Sequence, residues 1–129
     1  MAIRTELSLR LPNSPGALVE VCRALAQEQV NVLAMALDAS GRLRLVVDNR
    51  ARATGALGGI GRQVTEREVL FVRVPHGPGA LAPVLALIAE AGINVEYAYG
   101  APGDPGLPGQ AAIVLGVDDA MGAATAAGV

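Results

Sequence analysis

Two stretches of this chain share an order of residues that could hold a small charged molecule: PNSPGAL at Pro12 to Leu18 and PHGPGAL at Pro75 to Leu81. Each sets proline and then glycine where a helix would begin. Ser14 suits a helix cap with Pro15 at the first helical position, and Gly77 with Pro78 suits the same start. Gly16 and Gly79 are the unexpected choices, because glycine just inside a helix costs about 0.5–1 kcal/mol relative to alanine. What it offers is a bare backbone beside the free N–H groups of the first turn, where the positive end of the helix dipole can meet an anion. Asn31 and Asn94 form a second recurring pair, each between the end of a helix and the start of a strand. Structurally, each is a turn asparagine that tolerates positive φ. Functionally, each is a group at the mouth of a sheet that both donates and accepts. A zwitterion asks for that combination: N–H donors for its carboxylate and acceptors for its ammonium.

Other chemistries fare worse. The chain has one cysteine, Cys22, and one histidine, His76, too few for a Cys/His metal cluster or an internal disulfide. Cys22 falls on an apolar helical stripe, where a buried, inert thiol is expected. No Ser-His-carboxylate order or acidic pair stands out, and Glu66 and Glu68 read as the solvated face of a strand. No enzyme activity and no cofactor are therefore expected. The net charge of −2 gives no basic stripe for a nucleic-acid backbone. Tyr97 and Tyr99 share a strand face that could stack bases, but the first half of the chain has Ala34 and Ala36 there. The start, MAIRTELSLRL, lacks a signal-peptide core, and no apolar run reaches the roughly 18 residues of a membrane span. A cytoplasmic protein is expected.

The two loops belong to a longer repeat. Shifted by 63 positions, Leu7 to Val32 lies over Leu70 to Val95 with 11 of 26 residues identical. Beyond the longer second loop, APGDPGLPGQ (Ala101 to Gln110), the offset becomes 70, and Gly41 to Asn49 lies over Ala111 to Asp119.

Each copy has the same elements. Leu7, Leu9 and Leu11 alternate with polar residues, as Leu70, Val72 and Val74 do in the second copy, which predicts half-buried strands. Leu18, Val21, Cys22 and Leu25 form one helical stripe; Leu81, Val84, Leu85 and Ile88 form its twin. Strands follow at Val32 to Leu37 and Val95 to Tyr99. Asp38 to Gly41 signals a hairpin into a third strand through Leu43, Leu45 and Val47. A short helix over Arg50 to Gly59 and a strand over Gln63 to Glu68 complete the first copy. The order predicts an α+β fold of two ferredoxin-like βαββαβ modules, residues 1–68 and 69–129, each an antiparallel sheet with helices on one face.

In these residues the chain resembles the ACT domain family, and as a whole the stand-alone tandem-ACT proteins. The family pattern is a strand, a polar residue, Pro-Gly-x-Leu, a helix, then Gly-Ile/Val-Asn-Ile/Val; here it reads NSPGAL with QVNV and HGPGAL with GINV. The resemblance implies amino-acid binding at the interface between modules, regulation of a metabolic enzyme, and no catalysis. It implicates Asn13, Ser14, Pro15, Gly16, Ala17 and Leu18 with Asn31 and Val32. In the second copy it implicates His76, Gly77, Pro78, Gly79, Ala80 and Leu81 with Asn94 and Val95. The polar position of Asn13 is His76 in the second copy, and an imidazole charges near pH 6.5, so that site is expected to be altered, empty or pH-sensitive. The competing reading is a regulatory subunit that docks on an enzyme and binds no ligand.

By the offset of 70, the fourth strand of the second copy would start near position 133, leaving only Gly128-Val129 as a stub. Val69 to Val74 would then have an open edge, which invites pairing. Cover by a neighbouring subunit or by Gln63 to Glu68 is expected, with a dimer or larger homo-oligomer.

Overall fold

The computed structural model describes residues 2–103 and 106–129. Asp104 and Pro105 of the long second loop lie outside the described residues. The chain divides into two compact units, Thr5–Arg67, and Met1–Arg4 together with Glu68–Val129. Both are built from antiparallel strands with two helices, as ferredoxin-like modules.

The first unit contains β1 (Ile3–Arg10, from Thr5 onward), α1 (Ala17–Gln27), β2 (Val32–Leu37), β3 (Arg42–Val47) and α2 (Arg50–Gly59). Its strand order is β2-β3-β1, followed by the opening residues of β4 (Thr65–Pro75). Alternation along β1 and β3 puts Leu7, Leu9, Leu43 and Leu45 on one face, all buried against Val21 and Leu25 of α1 and Leu57 of α2. Removing one such leucine side chain costs about 2–5 kcal/mol. The other face carries Glu6, Ser8, Arg10, Arg42 and Arg44, in register across the two strands. In α1 the buried residues are Ala17, Val21, Ala24 and Leu25, while Cys22 is half-buried rather than fully enclosed.

The second unit contains the rest of β4, α3 (Ala82–Glu90), β5 (Val95–Ala101), β6 (Gln110–Val117) and α4 (Ala120–Ala127). Its order is β4-β6-β5. Leu70, Val72, Ile88, Leu115 and Ala123 form its core. The strand expected over Gln63 to Glu68 is the first part of β4, which runs unbroken to Pro75.

The end of the chain differs from the expectation. Gly128-Val129 is not a strand stub: Gly128 adopts φ 71° after α4, and the Val129 N–H closes onto the Ala124 carbonyl at 3.0 Å. That is a glycine helix stop. The edge of β4 is covered by the chain's own beginning. The Phe71 N–H donates to the Ala2 carbonyl at 2.7 Å, the Arg4 guanidinium sits 5.6 Å from the Phe71 ring centre, and Ile3 packs on the core. The open-edge argument for a dimer therefore does not apply to this strand as far as Phe71.

Candidate functional site

The repeated loop is a tight turn before it is a helix start. In the first unit the Ala17 N–H donates to the Ser14 carbonyl at 3.3 Å, with Pro15 and Gly16 in between. Gly16 has φ 88° and ψ −9°. Proline followed by a residue of positive φ makes a type II turn, which asks for glycine at its third position. In the second unit the Ala80 N–H faces the Gly77 carbonyl at 3.4 Å, and Gly79 has φ 75°. The expectation of glycine inside a helix is thus corrected: Gly16 is the residue before α1, and Gly79 lies ahead of α3. Ser14 makes no side-chain cap, and neither Pro15 nor Pro78 is a first helical residue. A Cβ on Gly16 would come no closer than 4.0 Å to Val19, and one on Gly79 would meet nothing. Backbone conformation, not space, selects these glycines.

Past the turn the two units diverge. In the first, the helix starts at once with Ala17. The N–H groups of Leu18 and Val19 have no acceptor among the described residues, since the first hydrogen bond back along the helix is from Glu20 to Gly16 at 3.1 Å. Beside them lies a cavity of about 360 Å³. One wall is the turn, with Asn13, Ser14, Gly16 and Leu18; the other is the β2–β3 hairpin, with Leu37, Asp38 and Gly41. The volume falls in the range of small-molecule pockets.

The hairpin is held by Asp38. Its Oδ1 accepts from the Ser40 N–H at 2.9 Å, the Ser40 hydroxyl at 2.5 Å and the Arg42 N–H at 3.2 Å, while Oδ2 lies 3.6 Å from Arg44. The Ser40 hydroxyl above all, aided by the two backbone N–H groups and Arg44, holds the Asp38 carboxyl below its ordinary value. It stays ionised as the one carboxylate in the cavity lining. Gly41 ties hairpin to turn: the Leu11 N–H donates to its carbonyl at 2.8 Å. At φ 89°, a Cβ there would stand 2.5 Å from the Leu11 carbonyl oxygen.

Asn31 and Asn94 stand apart from the turns of their own units. β2 pairs with β3 from Val32↔Val47 to Leu37↔Leu43, so Asn31 and Val32 lie at the opposite end of β2 from the cavity, about 20 Å along the strand. The Asn31 backbone N–H donates to the Asp48 side-chain Oδ1 at 2.9 Å, and its carbonyl accepts from the Asp48 N–H at 3.1 Å. Asn94 and Val95 likewise precede the Val95↔Val117 pair, far from Pro75↔Gln110 next to His76. Neither asparagine has positive φ, which also removes the turn explanation. The left-handed residues are Gln29, at φ 54°, and Gly92, at φ 75°.

In the second unit α3 begins only at Ala82, beyond the PGAL loop, and Pro83 removes a donor from its first turn. The His76 N–H donates to the Gly109 carbonyl at 2.8 Å. Among the cavity residues not expected as site residues from sequence are Asp38 and Gly41. Their signal was the Asp-x-Ser-Gly order, an aspartate placed to bond the backbone two residues on.

No protein-family model matches the sequence, and no curated protein does. Solved structures do. Protein BT0572 from Bacteroides thetaiotaomicron is 30% identical with a TM-score of 0.81, over 92% of this chain and 81% of that one. The regulatory subunit of aspartate kinase from Thermus thermophilus, in its ligand-free form, is 19% identical with a TM-score of 0.69, over 99% of this chain and 92% of that one. The corresponding subunit from Thermus flavus is 18% identical with a TM-score of 0.66, over 99% and 95%. The fold is of the ACT type shared with these regulatory subunits, and the chain belongs to the same family as protein BT0572 of Bacteroides thetaiotaomicron.

Proposed function

We propose that this protein is a regulatory protein that binds a free amino acid and acts on a metabolic enzyme rather than catalysing a reaction itself. The observation that carries the reading is the cavity of the first unit. Leu18 and Val19, whose N–H groups are unpaired, and Asp38 line one space, which would give donors for a ligand carboxylate and an acceptor for its ammonium. The surrounding Leu37, Leu18 and Ala17 favour a modest apolar side chain. The likeness to regulatory subunits of aspartate kinase supports the same role. Asn13, Ser14, Pro15, Gly16, Ala17 and Leu18 belong to this site. Asn31 and Val32 would join it only from another module, in a homo-oligomer. The second loop, His76 to Leu81, with Asn94 and Val95, is proposed as the weaker counterpart.

The test is thermal denaturation with each of the twenty amino acids. A ligand at about 100-fold above its Kd adds roughly 2.7 kcal/mol to stability. Asp38→Asn should abolish most of that gain while the free protein still melts cooperatively. If none of the twenty shifts the melting temperature at millimolar concentration, the reading fails. A subunit that docks on its enzyme without a ligand is then the function left standing.

A further inference from the structure

All ten basic side chains of this protein are arginine, and three of them, Arg10, Arg42 and Arg62, line one cavity of about 520 Å³ in the first unit. Its polar lining is completed by Ser8, Gln63 and Thr65, and no carboxylate contributes to it. This cavity shares no lining residue with the one beside Asp38.

The register makes the arrangement costly in isolation. Arg10 and Arg42 are direct partners across β1 and β3. Like charges directly opposite on neighbouring strands repel. The next pair along, Ser8↔Arg44, shows the ordinary remedy, because Arg44 is matched by Glu6 at 3.9 Å and Asp38 at 3.6 Å. Among the described residues, no carboxylate lies within ion-pair distance of the Arg10 or Arg42 side chain. Arg10 donates only to the Ser40 carbonyl at 2.9 Å, and Arg42 to the Ser8 hydroxyl at 3.1 Å. Arg62 is ion-paired with Glu20 at 3.7 Å, while its Nε is buried without a hydrogen-bond partner. Arg10 and Arg42 thus keep most of their donors uncommitted beside this polar space, with the ion-paired Arg62 also in its lining.

We propose that this cavity is a second ligand site, for a small phosphate-bearing metabolite. A phosphate monoester carries close to two negative charges and three acceptor oxygens, which the two forked guanidinium groups of Arg10 and Arg42 can share. A single carboxylate would leave one of them unmatched. The cavity is larger than a phosphate group. The remaining space, with the hydroxyls of Ser8 and Thr65 and the amide of Gln63, suits a hydroxylated body of the sugar class. It has no aromatic ring on which a base could stack.

The test is calorimetric titration at about 150 mM salt, where long-range charge effects are screened. The probes are glucose 6-phosphate, glucose and succinate. Saturable one-to-one binding of glucose 6-phosphate is expected, with none of glucose. Arg42→Gln and Arg10→Gln should each weaken it about tenfold or more, and Arg42→Lys less, because the charge remains but the fork is lost. Arg52→Gln removes the same charge elsewhere in the unit and should leave binding within about twofold. Circular dichroism checks each fold. Should Arg42→Gln misfold, Arg10→Gln decides, since Arg10 is exposed and bonds one carbonyl. No saturable binding of glucose 6-phosphate, equal binding of succinate, or equal losses in Arg52→Gln and Arg42→Gln would overturn the proposal.

Discussion

The two units start from the same loop and use it differently. In the first, PGAL runs straight into α1, a four-residue hairpin turn stands opposite, and an ionised aspartate organises that turn. In the second, α3 begins at Ala82, two residues later than the position matching Ala17, and a longer connection joins β5, ending at Ala101, to β6, starting at Gln110. The shared part is what backbone geometry enforces: a type II turn, and a strand-end N–H bonded to a hairpin glycine, Leu11 to Gly41 in one unit and His76 to Gly109 in the other. The unshared part is chemistry. A repeat can preserve a turn because its φ angles are demanding, while the groups around that turn diverge.

The largest test of this contrast is at the hairpin glycines. Both have positive φ, 89° for Gly41 and 82° for Gly109, but only Gly41 faces backbone, with the Leu11 oxygen 2.5 Å from where a Cβ would stand. Gly41→Ala combines left-handed strain with a clash that backbone must yield to, and should cost about 3 kcal/mol. Gly109→Ala has open space around it and should cost about 1–2 kcal/mol, the strain alone. Equal losses in chemical denaturation would mean that the tie at Leu11 is no tighter than its counterpart.

Next in size is removal of residues 2–4. The second unit relies on them for the edge of β4, through the Ala2 carbonyl and the packing of Ile3. Their loss should cost the second unit about 2–3 kcal/mol, from one partly buried isoleucine and the edge hydrogen bonds. Amide exchange at Phe71 should then accelerate, while Leu7, Leu9 and Leu45 of the first unit stay protected. Uniform acceleration across both units would show that the chain unfolds as one cooperative body.

That dependence marks the limit of what the sequence discloses. Elements fixed by local pattern were legible: the alternation of Leu7, Leu9 and Leu11, the bounds Val32 to Leu37, and the helix over Arg50 to Gly59 all match the structure. The cover of β4 was not, because Ala2 and Phe71 are far apart in sequence, and pairing along an edge leaves no periodic signature. The loop was found for a reason that needs revising. Its glycines are required by the turn, and the charged residue that lines the same cavity is Asp38, on a hairpin some twenty residues away. Asn31 lies at the far end of β2 from the cavity of its own unit, because short motifs place residues in order, whereas strand directions decide which end of the sheet they occupy.

The aspartate supplies a third, pH-dependent contrast. The Asp38 carboxyl is held below its ordinary value near 3.8, so the ionised form is the one the hairpin favours. Its contribution is whole above pH 3.8 and fades as pH falls through the lower folded value. Amide exchange at Ser40 and Arg42 should therefore quicken at the acid end of that window. The second unit's hairpin strands, β5 and β6, should show no matching step. Asp38→Asn should remove the step from the first unit as well. An acid step of equal size in both hairpins would trace it to general unfolding rather than to this carboxylate.

The smallest contrast lies at the helix ends. Both α1 and α3 close with a bond from a residue just past the helix back to its last turn, Val30 to Leu25 at 3.0 Å and Ile93 to Ile88 at 3.2 Å. Each closure needs one left-handed residue before it, which is Gly92 in the second unit and Gln29 in the first. Glutamine at φ 54° bears a steric cost of about 1–2 kcal/mol that glycine escapes, offset in part by glycine's greater freedom in the unfolded chain. Gln29→Gly should thus stabilise the first unit by about 0.5–1 kcal/mol, and Gly92→Gln should destabilise the second by a similar amount. Because the side chain of Gln29 is exposed, little packing is lost in the exchange. Urea unfolding curves that shift in these opposite directions, with unchanged slopes, would confirm that the two helix ends are one motif filled differently. A loss of stability in Gln29→Gly would mean that the glutamine side chain contributes more than its backbone strain costs.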